Sequence, residues 1–255
     1  MKRGFTLIEV LVVIAIVSLV IAITLPALGS ARTTARQTLS LSNARSIGQT
    51  FSMYADANRT YPFPGQVEDV DVPGGGDVYS FEWYPQGTVV ATSSLWQFGT
   101  LWPALVSNIT PWEEAYSTWI SPGRDKSLPT LEDIFGDLDP HEVVSYEYSN
   151  SFLASHRNWQ DNAIEDPKLL GPTRPDEVTY SSQKALLWDR HLSYQTEQPE
   201  IVEGHYNIRT PMVFADMHGD VMNPLDATQG TPNPNNMTDI RRLHNTPSGV
   251  RGRDY

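Results

Sequence analysis

Apolar residues run almost unbroken through the start of the chain and then change rhythm. From Val10 to Ile23 the only polar residue is Ser18, and from Phe5 to Leu28 the only charge is Glu9. Those 24 positions, if helical, span about 36 Å, enough to cross a hydrocarbon core of about 30 Å. Beyond Gly29 the pattern becomes one-sided. Ala44, Ile47, Gly48, Phe51, Tyr54 and Ala55 recur at three- and four-residue steps, while Arg32, Arg36, Arg45 and Gln49 fall on other faces. No proline interrupts Ala31 to Ala57. The pattern predicts one long helix from about Phe5 to about Ala57, with a membrane half over 5–28 and an amphipathic half over 29–60. Pro62 and Pro64 cannot continue it, and Tyr61 is pushed toward extended geometry by the proline that follows.

Residues 61–225 are punctuated by Pro and Gly, as expected of a domain of short elements. Val70-Asp71-Val72-Pro73-Gly74-Gly75-Gly76 reads as a loop. Short β-branched or aromatic runs bounded by turn residues predict strands at Val78–Tyr84, Val89–Thr92, Val143–Tyr148, Lys184–Trp188 and Pro211–Ala215. Short helices are predicted over Trp96–Val106 and Pro111–Ile120. The expected class is α+β: an antiparallel sheet packed on the amphipathic half of the long helix. Residues 226–255, rich in Pro, Asn, Thr and Arg, are expected to be a loosely ordered tail.

Charge divides the chain along the same line. Up to Thr60, Lys2, Arg3, Arg32, Arg36, Arg45 and Arg59 outnumber Glu9 and Asp56 by four, whereas the remaining 195 residues carry a net charge of −16. An acidic body repels phosphate backbones, so nucleic-acid binding by the outer domain is not expected. The absence of cysteine excludes disulfides, cysteinyl metal sites and a thiol nucleophile.

Lys2 and Arg3 should hold the N-terminus in the cytoplasm and leave the domain outside. A cleaved signal peptide with Ala27-Leu28-Gly29 as its cutting site, or a plain signal anchor, would also fit the apolar run. Glu9 argues against both, because a carboxylate one turn inside an apolar helix is rarely left uncompensated. The amphipathic continuation argues against the cleaved signal, since a discarded segment would not be continued by it. Gly4-Phe5-Thr6-Leu7-Ile8-Glu9 resembles, at every position, the N-terminal signature of type IV pilins and type II secretion pseudopilins. The resemblance implies residues 1–4 as a leader removed after Gly4 by a prepilin peptidase, and N-methylation of Phe5. It further implies pairing of Glu9 with the N-terminal amine of a neighbouring subunit, Pro26 as a helix-bending position, and an inner-membrane assembly platform as partner.

A second resemblance lies near the end of the domain. Some pilin-like proteins carry His, nine residues, then Asp-Gly; here His205 is followed after ten by Asp216-Met217, within Phe214-Ala215-Asp216-Met217-His218-Gly219-Asp220. Ser145-Tyr146-Glu147-Tyr148 and Lys184-Ala185-Leu186-Leu187-Trp188-Asp189 look like the same subgroup, and the chain departs from its pattern at the glycine. Some pseudopilins hold calcium through C-terminal loop carboxylates, which makes Asp216 and Asp220 weak metal candidates. The plainer expectation is a hairpin turn through Asp216 and Gly219, with no cofactor and no metal. Ser145 or Ser149 beside histidines could suggest a hydrolase, but no nucleophile elbow, zinc helix or phosphate loop accompanies them, so no enzyme is expected. Tyr79, Phe81, Trp83, Tyr84, Trp96, Phe98, Trp102, Trp112, Tyr116 and Trp119 crowd one stretch. They read as core; exposed, they would instead make the chain a minor tip pilin binding a glycan or secreted substrate.

Overall fold

The computed structural model describes residues 6–67, 77–83, 87–125, 127–130, 133, 142–195, 207–234 and 240–255. A single helix, α1 (Leu7–Asn58), passes through Pro26 without a break. It ends where Arg59 turns left-handed (φ 63°) and returns its N–H to the Ala55 carbonyl at 2.8 Å. The two halves of α1 differ as their sequence patterns do. The apolar half is exposed along its whole described length, whereas Ser40, Ala44, Ile47, Gly48, Thr50, Phe51 and Ala55 are buried.

The buried face of α1 lies across a four-stranded antiparallel sheet in the order β4 (Tyr146–Tyr148), β5 (Ala185–Asp189), β6 (Thr210–Phe214), β7 (Gly219–Met222). Gly48 permits this approach: a Cβ there would meet both Cγ atoms of Val213 at 3.1 and 3.3 Å and Met217 Sδ at 3.3 Å. Phe51, fully buried, meets Trp102 and Tyr148 edge-on at centroid separations of 5.3 and 4.8 Å. Beside this core, β1 (Gly65–Val67), β2 (Asp77–Trp83) and β3 (Gly87–Ser93) form a second antiparallel sheet. The short helices α2 (Phe98–Leu101), α3 (Pro103–Val106) and α4 (Trp112–Trp119) fill the space between them and α1.

The expected strands are present with shifted ends. Of the expected Val143–Tyr148 only Tyr146–Tyr148 pairs, because Val143 and Val144 are buried without joining a ladder. β1, a three-residue segment, was not expected.

The stretch from Asp226 corrects the sequence expectation. Its described residues are not a loose tail: Leu243, His244, Asn245, Thr246, Val250 and Asp254 are buried. The reason lies in the sheet. β5 and β6 are buried on both faces, so a second layer must cover the side away from α1. Ala227 and Leu243 supply it, packing with Ala185, Trp188, Met212 and Phe214. Polar contacts fasten the layer, with Ser149 Oγ donating to the Leu243 carbonyl and Ser151 Oγ to that of His244, both at 2.5 Å. The described residues of 226–255 therefore pack as part of the domain.

Candidate functional site

The first turn of α1 is closed by its own side chains. The Thr6 N–H and hydroxyl both donate to Glu9 Oε2, at 2.7 and 2.8 Å, and the Glu9 N–H donates back to Thr6 Oγ1 at 3.3 Å. This reciprocal capping box satisfies backbone donors that a helix N-terminus otherwise leaves open. Thr6 stood in the N-terminal signature without a role of its own, and its capping signal was present as Thr6-x-x-Glu9 ahead of an apolar run. Gly4 and Phe5 lie outside the described residues.

Above Glu9 the helix presents large apolar side chains on every face. Leu7, Leu11, Ile14, Leu19, Ile23, Leu25 and Leu28 are all more than half exposed. An apolar cylinder of this length with nothing packed on it is unstable in water and calls for lipid or other apolar helices. Pro26 sits within it. Having no N–H, Pro26 leaves the Ala22 carbonyl without its helical donor, while Thr24 Oγ1 donates to the Ile21 carbonyl at 3.3 Å.

The outer half of α1 is tied to the domain by a buried carboxylate. Asp189, at the end of β5, accepts hydrogen bonds from Ser40 Oγ (2.5 Å), Ser121 Oγ (2.8 Å), and the backbone N–H groups of His191 (3.1 Å) and Leu192 (3.0 Å). Burial pushes its carboxyl above the usual carboxylate range, against the pull of those four donors.

The other candidates do not converge. Asp216 Oδ1 accepts from the His218 N–H at 3.1 Å and faces its Nδ1 at 2.5 Å, and the imidazole stacks on Phe214 at 4.4 Å. Asp220 Oδ1 instead accepts from the Val221 N–H. Asp216 shapes the turn, Asp220 lies in β7 paired with Met212, and among the described residues no three His, Asp or Glu side chains gather as metal ligands. Met217 occupies the position at which the resembled pattern carries Gly, and it adopts φ 69°. His205 lies outside the described residues. Ser145 and Ser149 are buried, Ser149 spending its hydroxyl on the Leu243 carbonyl.

Of the aromatic stretch, Tyr79, Phe98, Trp102, Trp112, Tyr116 and Trp119 are buried and Trp96 is half-buried against Trp159. The side chains of Phe81 and Trp83, and the whole of Tyr84, lie outside what the structure describes.

A family model described as the prokaryotic N-terminal methylation motif matches residues 1–25. The match covers the capped first turn and most of the apolar half of α1, and stops there. No curated protein and no solved structure matches the chain. The motif, followed by one long helix laid on an antiparallel sheet, supports a type IV pilin-like protein. The motif implies processing by a prepilin peptidase and assembly with other pilin subunits, and with the apolar helix it indicates a membrane-anchored chain. It is the mark of structural subunits rather than of enzymes.

Proposed function

We propose that the protein is a structural subunit of a type IV pilus-like or type II secretion pseudopilus filament. The observation that carries this is the division of α1: a fully exposed apolar half behind a capped Glu9, and an outer half fastened to a domain. Cleavage after Gly4 frees Phe5, which becomes the methylated N-terminus. Before assembly the chain stands in the inner membrane, with its N-terminus in the cytoplasm and its domain outside.

In the filament the apolar halves of neighbouring subunits cover one another. That replaces lipid with close side-chain packing and leaves the charge of Glu9 as the feature that sets register. The capping box keeps that carboxylate aimed back at the helix start, where a neighbour's terminal amine can reach it and lift the cost of holding an unpaired charge among apolar helices. Replacing Glu9 with Ala tests this, with cross-linking of adjacent subunits as the readout. Assembly is expected to fail while the outer domain keeps its thermal transition; unchanged cross-linking of the Glu9→Ala chain would overturn the role.

A further inference from the structure

Helix α1 leaves its apolar run at Leu28 and continues uninterrupted into the domain. The next few residues pass through the headgroup layer, roughly 5–7 Å deep on each side of a bilayer core, at a helical rise of about 1.5 Å per residue. Side chains there are small, Gly29-Ser30-Ala31 and Thr33-Thr34-Ala35, with Arg32 between them. Space around Gly29 is open, since a Cβ there would meet nothing within 4 Å. The Thr33 and Thr34 hydroxyls turn inward, donating to the carbonyls of Gly29 (3.2 Å) and Ser30 (3.1 Å), so they offer no proton outward.

Arg32 is exposed and, among the described residues, has neither a hydrogen bond nor an ion pair. One turn further, the domain begins. The guanidinium of half-buried Arg36 lies over Gly123, where an added Cβ would sit 3.1 Å from its Nη1, and Gln37 Nε2 donates to the Arg209 carbonyl at 3.2 Å. No acidic residue occurs from Val10 to Ala55, so the carboxylates of α1, Glu9 and Asp56, lie many turns from either arginine.

We propose that Arg32, backed by Arg36, is a binding site for the phosphate of anionic phospholipids at the point where α1 leaves the bilayer. The planar fork of a guanidinium matches phosphate oxygens, and the small side chains around Arg32 let a headgroup approach the helix. The site has a purpose in this chain: the outer domain carries most of a charge of −16 and would be repelled by an anionic leaflet. Two arginines between domain and bilayer offset that repulsion and fix the depth of the helix. An acidic face on a second copy is the other conceivable partner. However, Arg32 lies below the level at which the domain meets α1, and a copy in the same bilayer holds its domain at that same height.

The proposal rests on α1 spanning the membrane, and the test separates the two. The full chain is reconstituted with equal phosphatidylglycerol and phosphatidylcholine, and the lipids it retains are counted by native mass spectrometry. Because the chain has no cysteine, a probe at Ser18→Cys reports helix insertion alone. The wild-type chain should retain phosphatidylglycerol preferentially, by about fivefold per arginine. The Arg32→Gln/Arg36→Gln variant should retain the two lipids evenly, and Arg157→Gln, an exposed domain arginine, should behave as wild type. Even retention by the wild type, or undiminished preference in the double variant, overturns the site. If the double variant instead alters only cross-linking between copies, the arginines serve a protein partner and the lipid site is wrong. A water-accessible Ser18 probe would show that the spanning helix itself, and not merely the lipid contact, had been misassigned.

Discussion

Asp254 closes a fully buried ion pair with Lys184, both side chains having no exposure. Its carboxylate accepts from Lys184 Nζ at 3.1 Å, the Ala185 N–H at 2.8 Å and the Thr246 hydroxyl at 2.5 Å, which pins the end of the chain to the start of β5. The ammonium also touches Ser151 Oγ, at 3.1 Å, and Thr246 Oγ1. Replacing Asp254 with Ala removes the carboxylate paired with the buried Lys184 ammonium and orphans a strand N–H. Breaking a buried pair from one side costs about 3–5 kcal/mol, a large share of a typical domain's 5–15 kcal/mol. Urea unfolding of the full chain in detergent, followed by tryptophan fluorescence, measures it.

The pH dependence has a definite sign. Burial already holds the Lys184 ammonium below its usual value, with Asp254 pulling the other way. The unfolded chain therefore binds more protons than the folded one between the folded value and about 10.4, and stability rises with pH across that window. Without Asp254 the folded value falls further, so the variant should recover stability from a lower pH upward. Lys184→Met/Asp254→Ala should lose much less than the sum of the two single changes. A cost under about 1 kcal/mol for Asp254→Ala, the scale of an exposed pair, would refute the reasoning.

Three further expectations follow from the packing. Phe51→Ala should destabilise the chain by about 3–5 kcal/mol in the same unfolding assay, because a fully buried ring between Trp102 and Tyr148 leaves a cavity that neither can fill. Gly48→Val should cost about 1–3 kcal/mol by driving branched atoms into Val213, whereas Gly48→Ala should be nearly neutral, since better helix propensity offsets the tight contact. His244 is buried with Nδ1 accepting the Asn150 N–H at 3.1 Å and Nε2 facing Glu147 Oε1 at 3.2 Å. Burial holds its imidazole below the usual value, Glu147 opposing and Arg241 and Arg190 reinforcing, so stability should fall as pH drops below about 6.5. His244→Gln should make that acid limb shallower by up to about 1.4 kcal/mol per pH unit, read from urea titrations at several pH values.

The helix was the legible part of this chain, because lipid and core each impose a pattern on it: unbroken apolarity over 5–28, then Ala44, Ile47, Phe51 and Ala55 at helical steps. The turn at Asp216 was legible from turn chemistry, although Gly219, expected in it, already belongs to β7 opposite Val213. The second layer behind the sheet was hidden by composition, since the described residues of 226–255 are held by hydroxyl, imidazole and carboxylate groups that look solvated in sequence. A signal did exist on the strands they cover. Ala185-Leu186-Leu187-Trp188 and Met212-Val213-Phe214 are continuous apolar runs without alternation, the pattern of strands buried on both faces. At the functional end, Glu9 was singled out as a charge needing a partner, yet the partner within its own turn, Thr6, was as close as three residues away. Asp189 could not be recognised as the tie to Ser40, because 149 residues separate them and neither belongs to a motif.

The central claim, a subunit processed at Gly4 and assembled through α1, is tested most directly by the mass of the mature N-terminus. Protein isolated from the membrane of its native cells should begin at Phe5 and carry one added methyl group. A chain beginning at Ser30 would contradict it, because α1 would then have lost its apolar half and served only as an export signal.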